Sequence, residues 1–164
     1  MNYVVEQKLT FAKPAFSVTD EAGSEVYRVE GKALRMREQL WIRDLEGREV
    51  AFVEQKGALR PSFEITSGGA LLATMSPRHK LFKLHFVLTD ARTGAETFAR
   101  GNLSGYEYDF ERNGAVVATV RKKRRWTDRY ALGVSDGEDD VVYIGAVLVI
   151  DAFLAEAERR RRDS

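Results

Sequence analysis

Six glycines recur along the chain at near-regular intervals, and that regularity constrains the fold more than any other feature. Gly23, Gly47, Gly69, Gly94, Gly114 and Gly137 follow one another at spacings of 20 to 25 residues. Most lie between short segments that alternate apolar and polar residues, the pattern of a strand with one buried face. Phe16–Asp20 is followed by Glu25–Val29, Trp41–Asp44 by Arg48–Val53, and Phe63–Thr66 by Ala70–Thr74. Tyr106–Phe110 returns as Val116–Val120 across Asn113-Gly114. Asn-Gly supplies the two positive φ angles of a two-residue hairpin turn, so it is the strongest local signal present. With Tyr3–Leu9 and Tyr130–Val134 added, the chain holds about twelve strands. So many short strands in one small domain imply a sandwich or a closed barrel. The regular turn spacing reads as an antiparallel meander, because the hairpins are too dissimilar to be units of a solenoid.

Composition agrees with a single domain over residues 1–164. Apolar residues make up 44% and charged residues 31%, enough both to bury a core and to solvate it, which excludes a mostly disordered chain. The absence of Cys excludes a disulfide scaffold, thiolate metal sites and thiol chemistry. Twenty-six Lys and Arg against 25 Asp and Glu leave a charge of +1, so no global field draws the chain to nucleic acid. The first eight residues lack the basic and then apolar pattern of a signal peptide. The one long apolar run, Val141–Ile150, stops at Asp151 after ten residues. A membrane-spanning helix needs about 20. A cytoplasmic, soluble protein is expected.

The C-terminal segment breaks the strand pattern. Ser135–Asp140 is acidic, Arg159–Arg162 is basic, and Val141–Ile150 between them has no polar stripe at any helical angle. Acidic residues at a helix start and basic ones at its end complement the macrodipole. A helix that is apolar all round is buried all round. The β-branched residues would also suit a buried strand, but the charged ends and the Ala152–Glu158 continuation favour a helix over about 138–160. Val141, Ile144 and Leu148 then lie on a structural helix that only a barrel's interior or a deep sheet sandwich could hide.

The chain resembles the LURP-one-related (YxjI-like) family, which belongs with the phospholipid scramblases to the Tubby C-terminal-like superfamily. The resemblance rests on Val26–Lys32, the Asp44–Gly47 hairpin, Gln55–Ile65, Val117–Lys123, Asp128–Tyr130 and the apolar helix ending Val149-Ile150-Asp151. It covers about residues 3–157, and the order and spacing of these segments carry it more than any single motif. The family fold it implies is a closed barrel of about twelve antiparallel strands around a central apolar C-terminal helix. The implied activities differ: phosphoinositide binding in Tubby proteins, a lipid-linked role in scramblases, and largely unknown roles in this family. Fold is therefore better specified than function.

Catalytic chemistry is hard to find. His79 and His85 lie six apart, without the spacing of a helical metal pair or a nearby carboxylate cluster, and are read as structural or surface residues. Asp136, Glu138, Asp139 and Asp140 lack the EF-hand spacing, and helix capping explains them more economically than Ca²⁺. Nucleophile-elbow, Walker and dinucleotide signatures are missing. Glu107 and Asp109 share a strand face, the minimum for a carboxylate pair, yet such pairs on solvated faces are commonplace. No catalytic residue, metal ligand or cofactor is expected, and the protein is read as a non-enzyme.

The leading candidate for a binding surface is Arg121, Lys122, Lys123, Arg124, Arg125 and Trp126. With Arg129 this stretch sets six cations against Asp128, a local charge of +5. Cations beside an indole suit a phosphate-rich partner, and anionic phospholipid head groups met peripherally are the first candidate. A plain solvated turn explains the same residues. A nucleic-acid partner and a lipid-handling, scramblase-like role are alternatives; the overall charge of +1 argues against the former. Asp151, directly after the apolar run, is expected to have a fixed partner, either backbone N–H groups or an Arg of the barrel wall. A barrel filled by its own helix leaves little room for a small ligand, which places function on the outer surface.

Overall fold

The computed structural model describes residues 1–8, 15–34, 37–57, 59–78, 83–102, 107–124 and 127–164. The strands are β1 (Asn2–Lys8), β2 (Ala15–Thr19), β3 (Glu25–Leu34), β4 (Arg37–Arg43), β5 (Glu49–Lys56) and β6 (Ser62–Ser67). They continue as β7 (Ala70–Pro77), β8 (Lys83–Asp90), β9 (Glu96–Asn102), β10 (Glu107–Arg112), β11 (Ala115–Arg124) and β12 (Thr127–Val134). One helix, α1 (Asp140–Arg162), ends the chain. Each strand pairs antiparallel with its sequence neighbours, and β1 pairs with β12, Val4 opposite Ala131, so the sheet closes into an up-and-down barrel. Closure leaves no strand edge to attract another chain.

Turn chemistry fixes this order locally. Asn113 and Gly114 adopt φ of 51° and 79°, the geometry required by the two-residue hairpin between β10 and β11. Elsewhere an Asp opens the turn and organises it. Asp20 accepts from the backbone N–H groups of Ala22 and Ser24, and Asp44 from those of Glu46 and Arg48. Asp90 does the same for Arg92 and Thr93. The Arg48 guanidinium first, and then the turn amides, hold Asp44 below the usual carboxylate range, and the Thr93 amide leads the same effect at Asp90.

The alternation of each strand sends one set of side chains inward. Val5, Val18, Ile42, Val53, Ile65, Met75, Phe86, Phe110, Val120 and Leu132 meet the helix there, and Tyr143–Ile150 are buried along it. Gly145 is required by this contact. A Cβ at that position would stand 3.1 Å from Ile65 Cδ1 and 3.4 Å from Val53 Cγ2, so the bare backbone lets α1 approach β5 and β6. The helix begins at Asp140, two residues later than expected, because Asp139 is its cap and accepts from the N–H groups of Val141 and Val142. It runs through Arg162, with Asp140 in the first turn and Arg159–Arg162 in the last.

Candidate functional site

In an up-and-down barrel every second connection falls at the same end, so the connections sort into two groups. Turns 20–24, 44–48, 68–69, 91–95, 113–114 and 135–139 surround the end where α1 enters. They hold seven carboxylates, among them Asp20, Glu21, Asp44 and Glu46, against two cations, Arg48 and Arg92. At the opposite end, Lys8, Lys32, Arg60, Arg78 and Lys83 are exposed, and Lys56, Arg121 and Lys122 are half-buried. The connecting stretches of that end contain, in the sequence, six Lys or Arg and no Asp or Glu. The connections at the two ends of the barrel thus carry opposite net charge, while Lys56 is paired with Glu54.

The residues singled out from the sequence divide unevenly. β11 continues through Arg124, so most of the basic run belongs to a strand and not to a solvated connection. Two of its cations have local partners. Arg121 Nη1 lies 2.8 Å from Asp109 Oδ1 and donates to the carbonyls of Tyr108 and Val120; Lys122 Nζ stands 5.5 Å from the centre of the Tyr130 ring. Arg125 and Trp126 lie outside the described residues, as do the side chains of Lys123 and Arg124. His79 lies outside them too, whereas His85 is buried and stacks on Phe98 at 5.8 Å. The pairing of Asp109 with Arg121 accounts for one member of the Glu107/Asp109 pair.

Asp151 has a hydroxyl partner: Tyr130 on β12 donates to its Oδ1 at 2.5 Å. At the other end of the buried segment, Tyr3 donates to Asp140 Oδ2 at 2.6 Å. Burial first, and then the Asp140 carboxylate, push the Tyr3 phenol upward, so it stays protonated as a donor. Arg112 on β10 forms a third tie. Its Nη2 pairs with Glu138 and donates to the Tyr143 hydroxyl at 3.2 Å, while Nε donates to Thr97 Oγ1 at 3.2 Å. The hydrogen bond that Arg112 donates to Glu138 leads the causes that raise its affinity for protons.

Although α1 fills the barrel, a cavity of about 400 Å³ remains at the acidic end, bordered by Leu71, Leu72, Leu88, Arg112, Glu138 and Tyr143. Arg112, its most central cation, is committed to Glu138, Tyr143 and Thr97. Tyr143 in turn donates to Glu138 Oε2 at 3.0 Å, and the arrangement clamps β9 and β10 to the helix start. Among the described residues, no three His, Asp or Glu side chains are placed to hold a metal ion. None of the described helices is long and apolar enough to cross a membrane.

The sequence-based search fixed on one dense run of cations and missed the charged ends. The signal was present: three of the six glycine turns, 20–24, 44–48 and 135–139, hold all seven carboxylates, while the connections between them in the chain hold none. Only an up-and-down order turns that alternation into two surfaces.

Comparison with known proteins agrees with this geometry. The chain is 28% identical over 156 residues to the uncharacterized protein YxjI of Bacillus subtilis, spanning 94% of each. A crystal structure of an Arabidopsis thaliana protein shares the fold at a TM-score of 0.64 and 14% identity, covering 96% of this chain and 91% of that one. The profile of LURP-one-related proteins matches residues 1–151, and the chain belongs to the LURP-one-related family.

Proposed function

We propose that this protein is a non-enzymatic binding module whose basic end meets anionic phospholipid head groups peripherally. The observation that carries this reading is the segregation of charge. Lys8, Lys32, Arg60, Arg78 and Lys83 stand exposed at one end of a barrel whose opposite end is acidic. Each cation near an anionic surface contributes about 1 kcal/mol of attraction, so several on one rim suffice for reversible binding. Duplex nucleic acid fits less well, because the field is confined to one end of a nearly neutral molecule.

The test is sedimentation with phosphatidylcholine vesicles, with and without phosphatidylserine, beside a DNA gel shift. Pelleting is expected only with the anionic vesicles. It should fall steeply as the Debye length shrinks from about 10 Å at 0.1 M salt to about 3 Å at 1 M. Arg60→Ser with Arg78→Ser removes two exposed cations and should weaken binding about thirtyfold at low salt. Equal binding to neutral vesicles would overturn the proposal, and so would a gel shift without pelleting.

A further inference from the structure

We infer that the barrel docks end-on against an anionic bilayer, with Leu59 entering the acyl region beside Arg60. This rests on the lipid reading above and adds an orientation and an apolar contact to it. Leu59 is 98% exposed, further into solvent than any other exposed large apolar side chain among the described residues. A lone exposed leucine needs no explanation in itself. Its position supplies the argument. Leu59 sits in the β5–β6 connection at the basic end, next to the exposed Arg60, whereas Lys56, which closes β5, is paired with Glu54 at 2.8 Å. The loop is tight: Gly57 has φ of 75°, and a Cβ there would stand 2.9 Å from the Arg60 carbonyl oxygen. The turn thus leaves Leu59 standing out from the barrel beside one exposed cation, Arg60. A bulky apolar side chain next to a cation is the local chemistry of an interfacial anchor.

Leu45 provides an internal contrast. It is 53% exposed in the turn between β4 and β5, but at the acidic end, between Asp44 and Glu46. β5, the eight-residue strand between the two loops, is about 26 Å long at about 3.3 Å per residue, roughly three Debye lengths at physiological salt. Each end therefore meets a charged surface almost independently, the basic one attracted and the acidic one repelled. Two leucines of similar setting thus face opposite fates at a membrane.

The chain has no Cys, so one introduced Cys is a unique labelling site. Leu59→Cys and Leu45→Cys, each carrying an environment-sensitive NBD dye, would be mixed with phosphatidylserine-containing and pure phosphatidylcholine vesicles. A blue shift with brightening is expected at position 59 with the anionic vesicles alone, and none at position 45. In the unlabelled protein, Leu59→Ala should weaken vesicle binding about tenfold and abolish what persists at high salt, leaving the unfolding midpoint unchanged. Pelleting without a shift at position 59, or with equal shifts at both positions, would overturn end-on insertion while leaving the lipid reading intact. Absence of pelleting with every vesicle would overturn both.

Discussion

Tyr3 and Tyr130 hold α1 through two phenol–carboxylate bonds, to Asp140 at 2.6 Å and to Asp151 at 2.5 Å. A hydrogen bond to a charged acceptor contributes about 1.5–3 kcal/mol when buried. Asp140 is half-buried and can recover water, so Tyr3→Phe should cost near the lower end, about 1.5 kcal/mol, read as a lower urea midpoint with unchanged slope. Glu38 on β4 shows the opposite situation. Burial first, and then the Asp151 and Glu156 carboxylates, raise its affinity for protons, with Arg159 opposing them. A carboxyl whose folded-state value is raised binds more protons folded than unfolded. Its contribution therefore weakens as pH climbs from the ordinary glutamate range through the raised value. Glu38→Gln should raise the thermal midpoint at pH 8 and change it little near pH 4. A midpoint lowered by the substitution at pH 8 would show that the Glu38 charge is favourably paired.

At the scale of the element, α1 is both core and strut. Ile144 and Val147–Ile150 are essentially inaccessible, and Leu148 is 1% exposed. Leu148→Ala removes most of a buried side chain and is expected to cost about 2–5 kcal/mol. Leu148→Asp places an unpaired charge among apolar walls and costs enough to match the whole stability of a small domain. It should therefore fail to fold, with loss of near-ultraviolet circular dichroism. A soluble Asp variant with native dichroism would mean that the helix can leave the barrel without unfolding it. The strands contribute differently. Each buries one face and depends on both neighbours for hydrogen bonds, so β1 and β12 are left half-paired until they meet.

For the whole molecule, closure and filling make one cooperative unit. The outer wall carries Trp41, tilted against Phe52 at 5.2 Å, while the core centres on the helix. If these regions melt together, tryptophan fluorescence and far-ultraviolet dichroism should give superimposable urea transitions. Separate transitions would mean that α1 docks into a barrel stable without it. Refolding is expected to be slow, since joining β1 to β12 brings together residues more than a hundred positions apart. Polarity also belongs to this scale. No single connection makes the basic end; it exists because alternate connections converge.

The sequence by itself determined the features that depend on near neighbours. Asn113-Gly114 and the Asp-led glycine turns specify hairpins within a few residues, and alternation specifies which strand faces are buried. The apolar run from Val141 to Ile150, with acid before it and arginines after it, specifies a buried helix within two residues of its observed ends. The tertiary structure decided what depends on groups far apart in the chain. The donor to Asp151 is a tyrosine 21 residues away, brought there by barrel closure, and the donor to Asp140 comes from β1, 137 residues away. Arg121, one of five consecutive cations in the sequence, is drawn to Asp109 because β10 and β11 pair in a register that sets Asp109 opposite Thr119. Charge acts through space, so the separation into an acidic and a basic end emerges only once the strands are wound around the helix.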